Sequence, residues 1–309
     1  MNKALIILGP TAVGKSELAI KLAKQVNAEI ISADSMQVYR GMDIGTAKPT
    51  LKERQGIPHH LIDIRNPDEE WTVSDFVEQT NQLTNEIAGR GRLPIIVGGT
   101  GLYLWTLLEG YSFPLAPADK TIRQKLEKKD LAKLYSKLKE VDPQAAEKIH
   151  PNDKKRIIRA LEVYELTGYP ISKLQRTQNS ALRTPHSTLI GITMPREELY
   201  RRIEERVDQM VENGLIDEVK GLLAKGYAKD LPSFQALGYK EVIEYLDGKW
   251  PKEKMIEELK KRTRHFARRQ MTWFKRFSAK GGSASGGNNV KWFDAPVDSK
   301  AVLAYINSI

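Results

Sequence analysis

Gly9-Pro10-Thr11-Ala12-Val13-Gly14-Lys15-Ser16 sets two glycines, a lysine and a serine at the spacing that holds phosphates. The glycines allow a tight turn in which successive N–H groups face one concavity. Lys15 brings a point charge for the outer phosphates, and the Ser16 hydroxyl is placed for Mg²⁺. A carboxylate at Asp34 can hold Mg²⁺ through water or take a proton from a nucleophile. Thr100 stands in a second glycine-rich turn, Gly98-Gly99-Thr100-Gly101, and reads either as part of the phosphate site or as part of a turn that only packs closely. Arg202 and Arg206, four apart, share a helix face. They can clamp a phosphate or pair with Glu198 and Glu205. Together these groups describe chemistry on a di- or triphosphate, with its identity left open.

The elements that must position them follow from the pattern. Leu5 to Leu8 is an apolar run that reads as a buried strand, and Leu18, Ala19, Leu22, Ala23 and Val26 then recur at helical spacing. Ala28 to Ser32 reads as a second strand running into Asp34. Pro94 to Gly98 reads as a third, followed by a helix over 102–109. In an open α/β sheet, ligands bind beyond the carboxyl ends of the strands, where the first loop, Asp34 and Thr100 all fall. The third strand ends in glycine, where an ordinary P-loop NTPase carries an Asp for Mg²⁺. Between these elements, residues 38–49 form a glycine-punctuated loop of binding-surface length. His59-His60 reads as structural, its tail to Ile64 as a strand, and Ser74 as the N-cap of the next helix.

The whole chain has 309 residues, net charge +10 and no cysteine. Disulfides, thiolate catalysis and cysteine zinc sites are excluded. No apolar run approaches the roughly 18 residues of a membrane span, and no signal peptide is apparent, since a strand begins almost at once. The positive charge suits either a polyanionic partner, nucleic acid above membrane, or a merely basic surface.

After Pro117 the character changes. Residues 118–187 are helix-forming and highly charged, with no strand pattern, and read as a helical insertion into the α/β core. Asn152-Asp153 caps a helix bearing Lys154, Lys155, Arg156 and Arg159, a face either solvated or set against phosphates. Residues 188–309 complete the core. A strand over 188–194 is expected, then helices, a short loop from Ser233 to Lys240, and a long basic and aromatic helix from Met255 to Phe277. Lys280 to Asn289 reads as a linker, Val290 to Phe293 as a last strand and Val302 to Ile306 as a closing helix. The expected fold is thus α/β, a P-loop NTPase-like parallel sheet core over 1–117 and 188–309 with an inserted helical domain over 118–187.

Four blocks occur in order: the phosphate loop, Ser32-Ala33-Asp34-Ser35-Met36-Gln37-Val38-Tyr39, Gly41-Met42-Asp43-Ile44-Gly45-Thr46-Ala47-Lys48-Pro49, and Val97-Gly98-Gly99-Thr100-Gly101-Leu102-Tyr103. Asn152-Asp153, Arg159-Ala160-Leu161-Glu162 and Gly238-Tyr239 follow. By these residues the chain closely resembles the bacterial tRNA dimethylallyltransferases, also called tRNA isopentenyltransferases, over nearly its whole length. The cysteine zinc finger of eukaryotic relatives has no counterpart in this chain.

The resemblance implies transfer of a dimethylallyl group from dimethylallyl diphosphate to N6 of the adenosine next to the 3′ end of the tRNA anticodon. Pyrophosphate is released. It implies that residues Gly9 to Ser16 cradle that pyrophosphate, with Ser16 helping to hold Mg²⁺. Asp34 would be the general base, Thr100 would touch the donor near its bridging oxygen, and Arg206 would contact the pyrophosphate. Asp34, Ser35, Met36, Gln37, Thr100, Arg123, Lys155, Arg156, Arg159, Gln235, Gly238, Tyr239 and Lys240 would meet the tRNA. A cytoplasmic monomer with no membrane contact is expected. The rivals are a small-molecule or nucleotide kinase with ATP in the loop, and an RNA-binding module that uses nucleotide as a switch.

Overall fold

Leu5 to Leu8 contains no polar side chain, and a strand built from such a run must be covered on both faces. The computed structural model of the chain describes residues 4–109, 111–112, 119–174, 176–177, 187–278 and 290–308. In chain order the first part runs β1 (Ala4–Leu8), α1 (Lys15–Gln25), β2 (Ala28–Ala33), α2 (Leu51–Arg54), β3 (His59–His60), α3 (Val73–Gly89), β4 (Leu93–Gly98) and α4 (Gly101–Glu109). A largely helical stretch follows: β5 (Tyr111–Ser112), α5 (Lys120–Glu127), α6 (Leu131–Val141), α7 (Pro143–Lys148), α8 (Lys154–Thr167), α9 (Ile171–Leu174) and β6 (Arg176–Thr177). The chain then makes β7 (Ser187–Thr193), α10 (Arg196–Glu212), α11 (Leu215–Ala224), α12 (Tyr239–Leu246), α13 (Lys252–Ser278), β8 (Lys291–Asp294) and α14 (Ser299–Asn307).

Six of these strands form one parallel sheet, in the order β3-β2-β4-β1-β7-β8. β1 lies between β4 and β7, with Ile7 opposite Val97 on one side and Ile190 on the other. The period-two alternation of the strands divides the core. Ile6 and Leu8 pack with Ile31, Ile96 and Leu189 on one face, while Leu5 and Ile7 pack with Ile30, Ile95 and Ile190 on the other. The α/β class with a P-loop-type parallel sheet is therefore as expected.

The residues fall into two compact units, 1–109 with 180–309, and 110–179. The second unit has its own buried cluster, including Leu126, Leu134, Leu138, Ile157 and Leu161. Aspartates cap four of its helices: Asp119 for α5, Asp130 for α6, Asp142 for α7 and Asp153 for α8. The expected breakpoint residue Pro117, and the expected linker Lys280 to Asn289, lie outside the described residues.

Three local expectations change. The strand expected through Ile64 stops at His60, because Leu61 and Asp63 adopt left-handed backbone (φ 59° and 58°). Asp63 is drawn instead to the Lys48 ammonium, 2.6 Å away. The N-cap of α3 is Thr72 rather than Ser74. Its hydroxyl accepts the Asp75 N–H at 3.2 Å and the Asp75 carboxylate accepts the Thr72 N–H at 2.8 Å, a reciprocal pair that sets the start two residues earlier. The helical stretch also holds a strand pair, Tyr111 opposite Thr177 and Ser112 opposite Arg176, too short to show any alternation.

Candidate active site

At the end of β1 the backbone must pass close to β7. A Cβ on Gly9 would lie 2.6 Å from the Ile192 carbonyl oxygen, so only glycine fits. Ala12 and Gly14 then take left-handed φ values of 65° and 96°, and α1 starts directly after Gly14. This is the turn that the phosphate-loop pattern calls for. The Lys15 ammonium donates to the Pro10 carbonyl at 2.7 Å, folded back across its own loop. Thr11 meets two distant elements. Its N–H donates to Gln270 Oε1 at 2.8 Å, and its hydroxyl accepts from Arg206 Nη1 at 3.2 Å.

The end of β2 brings the carboxylate. Asp34 Oδ1 accepts the N–H of Met36 at 2.8 Å and of Gln37 at 3.3 Å, which fixes the side chain in its own turn. Its other oxygen makes no hydrogen bond among the described residues. The Ser35 N–H donates to the Thr100 hydroxyl at 3.2 Å, tying this turn to the one after β4. Gln37 braces the following loop: it accepts from the Ser32 hydroxyl at 2.9 Å and donates to the Thr46 and Ala47 carbonyls. The glycine at the end of β4 also has a cause. A Cβ on Gly98 would sit 2.2 Å from the Ala33 carbonyl oxygen, so no aspartate can stand there.

These loops open on one cavity of about 410 Å³, a size usual for small-molecule sites. Thr11, Ala12, Lys15, Ser16, Asp34, Ser35, Met36, Gln37, Thr100, Arg206 and Gln235 line it. Apolar side chains join them from α10 (Ile203, Val207, Met210) and α13 (Leu259, Phe266). The cavity thus offers cations, one carboxylate and an apolar wall.

Burial, and next the Arg206 guanidinium, pull the Lys15 ammonium down to about 7, with Asp34 acting in the opposite sense. Arg206 is likewise lowered by burial, against the pull of Asp34. Of the two arginines, Arg202 pairs with Glu198 at 3.0 Å, while Arg206 turns to Thr11. For a metal, the protein's own oxygens here are the Ser16 hydroxyl and the Asp34 carboxylate, both lining the cavity. No cluster of three acidic or histidine ligands occurs among the described residues. Such a sparse, hard-oxygen set fits Mg²⁺ held mainly through a ligand's phosphates and water.

Other expected site residues are not among those that line the cavity. Gly238 is buried and Lys240 is exposed. Tyr239 is fully buried, and its hydroxyl donates to Glu218 at 2.5 Å. The Glu218 carboxylate also accepts the N–H groups of Asp43, Ile44 and Gly45. Tyr239 therefore acts from inside, by holding the 43–45 loop through Glu218; its side chain offers RNA no surface. Arg123, Lys155, Arg156 and Arg159 belong to the helical unit. Lys155 and Arg156 are exposed, whereas Arg123 and Arg159 close on the buried Glu162 carboxylate at 2.9 and 2.7 Å.

Gln270 and Thr263 carry no site role in the sequence, whereas residues 45–47 belong to the loop expected to be a binding surface; all of them line the cavity. For α13 a signal existed: Leu259, Thr263, Phe266 and Gln270 fall at helical spacing on one face. In the linear sequence this face is interleaved with the cations of the outer side.

Over residues 37–277 the chain matches the family model described as IPP transferase. It is 51% identical to the tRNA dimethylallyltransferase of Pelotomaculum thermopropionicum over 277 residues, 88% of this chain and 88% of that one. It is 48% identical to the tRNA dimethylallyltransferase of Thermotoga neapolitana over 304 residues, 97% of this chain and 95% of the relative. Among solved structures it is similar to the tRNA isopentenylpyrophosphate transferase of Bacillus halodurans, with TM-score 0.70, 46% identity, and coverage of 100% of this chain and 95% of that one. A eukaryotic dimethylallyltransferase captured acting on tRNA superposes with TM-score 0.82 and 32% identity, covering 100% of this chain and 79% of that one.

Proposed function

The chain belongs to the IPP transferase family, and on that premise we propose that it transfers a dimethylallyl group from dimethylallyl diphosphate to N6 of the adenosine 3′-adjacent to the tRNA anticodon, as a cytoplasmic monomer. The observation that carries this reading is that Asp34 and the phosphate loop line one cavity that also has an apolar wall. That is the equipment for a nucleophile, a diphosphate leaving group and a short hydrocarbon. The names of the relatives favour prenyl transfer over a kinase. No helix among the described residues is long and apolar enough to cross a membrane.

In this mechanism the N6 lone pair forms the new C–N bond while the C–O bond to the diphosphate breaks, its electron pair leaving with pyrophosphate. The proton of N6 passes to Asp34, whose second oxygen is free to receive it. Lys15, Arg206 and the backbone N–H groups of residues 12–16 stabilise the charge that grows on the leaving oxygen. Thr100, tethered to Ser35, would touch the donor near its bridging oxygen. Ser16 would hold Mg²⁺, which would supply charge neutralisation of the diphosphate when bound. The half-buried Ser35–Gln37 turn, the exposed Gln235 and Lys240, and Arg123, Lys155, Arg156 and Arg159 of α5 and α8 meet the RNA. The adenosine must leave its stack, at a few kcal/mol, and phosphate contacts offset that cost.

The test is incubation with unmodified tRNA, Mg²⁺ and dimethylallyl diphosphate, followed by nucleoside mass spectrometry. Prenylated adenosine is expected, and its absence with every anticodon-loop adenosine removes the reading. Asp34→Ala keeps its fold and its tRNA binding, and loses about 10²–10⁴-fold in turnover. Near-normal turnover would take Asp34 out of the role of base.

A further inference from the structure

Gln270 lies one face inward from the basic residues of α13 and is 4% exposed. Its side chain joins two loops that are far apart in sequence. Oε1 accepts the Thr11 N–H at 2.8 Å, and Nε2 donates to the Gly99 carbonyl at 2.9 Å. The two partners fix the amide orientation, because a backbone N–H needs an acceptor and a carbonyl needs a donor. The surroundings are shaped for this one group. A Cβ on Gly99 would come 2.2 Å from Gln270 Nε2, so the turn approaches the amide closely only because residue 99 is glycine. The neighbouring Gly101 makes the same close approach to Trp273, three residues further along α13.

The bonds continue on both sides. Thr11 holds Arg206 through its hydroxyl, and Thr100, next to Gly99, holds the Ser35 N–H beside Asp34. The path runs from the cation facing the leaving group to the turn carrying the base, and Gln270 is its middle link. We propose that Gln270 is a positioning residue that sets the spacing between the diphosphate loop and the Asp34–Thr100 turns. This inference rests on the prenyl-transfer reading. Gln270 touches neither reacting atom; it acts through Thr11 and Gly99. In-line displacement depends on the distance between nucleophile and leaving group, so loss of register appears in turnover rather than in affinity.

The test uses the full chain with Gln270→Met, which keeps the length and loses both hydrogen bonds, and Gln270→Asn, which keeps the amide one methylene short. At saturating tRNA and dimethylallyl diphosphate, kcat of both variants falls by about 10²-fold. Affinity for tRNA, and the stoichiometry of inorganic pyrophosphate binding by calorimetry, stay as in the wild type. A kcat within twofold of wild type overturns the proposal. So does a kcat loss matched by an equal loss of pyrophosphate-binding sites, which is what a merely structural role produces. A second measurement stands apart from activity. Inorganic pyrophosphate slows amide hydrogen exchange over residues 97–104 in the wild type and fails to do so in Gln270→Met. Equal protection in both proteins overturns the coupling. A wild type that transfers no prenyl group fails the functional reading alone, because the exchange experiment still decides the coupling.

Discussion

Lys15 and Arg206, in the cavity, rest on a carbonyl and a hydroxyl, while Arg123 and Arg159, in the helical unit, both close on the buried carboxylate of Glu162. Neither Lys15 nor Arg206 has a carboxylate within ion-pair distance among the described residues. The helical-unit arginines give up part of their charge to an internal partner and gain a fixed direction. Lys15 and Arg206 have no such partner, and burial without an anion depresses them both until one binds. A basic protein thus holds two kinds of cation. One kind is set to bind and the other is already bound, and net charge cannot tell them apart.

Removing a cation of the first kind should cost the most. Arg206→Gln is expected to lower kcat by about 10²–10³-fold with tRNA affinity kept, as for loss of one group facing developing charge. A small effect in single-turnover kinetics would dissolve the distinction. Glu162→Gln should act oppositely to a simple charge argument. It removes a negative charge beside Arg123 and Arg159, which the proposed function sets against RNA, yet tRNA affinity should fall, because their direction is lost. The helical unit should lose about 2 kcal/mol of stability in denaturant titration, less than for a fully buried ion pair because both guanidiniums are partly exposed. Tighter tRNA binding would show that Glu162 only dilutes the charge.

Lys155→Gln and Arg156→Gln should each weaken tRNA binding modestly and reduce the slope of log affinity against log salt by about 1, with kcat unchanged. An unaltered slope returns these residues to the solvated surface. The smallest signal is a proton. Lys15, lowered to about 7, is partly neutral at pH 7.5, and a bound diphosphate favours its charged form. Pyrophosphate binding should therefore take up a fraction of a proton at pH 7.5, read as buffer-dependent heat in calorimetry. Its affinity should decline as pH rises through 7. Lys15→Arg, which stays charged, should lack this component.

The sheet, the phosphate loop and the positions of Asp34 and Thr100 were legible because each rests on a local rule. An apolar run gives a strand, glycines permit a turn, and strand ends gather ligands. The α8 cap at Asp153 was legible for the same reason. The burial of Tyr239 and the reach of Gln270 were not, since each depends on residues met only after folding: Glu218 for the tyrosine, Thr11 and Gly99 for the glutamine. The missing strand-end aspartate lay between these cases. Its absence was visible in the sequence, but its cause, the approach of Gly98 to Ala33, appears only when β2 and β4 stand side by side. Arg202 and Arg206 looked equivalent by spacing, and the choice between them was made by Thr11.

β1 has one neighbour from early in the chain, β4, and one from late, β7, with residues 110–179 between them. During synthesis, a ribosome-bound chain that has emerged only through α4 carries the complete phosphate-loop sequence but exposes one edge of β1. The Ile192 carbonyl that closes over Gly9 has not yet been made. An unpaired, wholly apolar edge invites other strands to add to it. Premature termination within the helical unit should therefore give aggregating fragments rather than weak enzymes, and the phosphate loop gains its second neighbour only after the whole helical unit has been made.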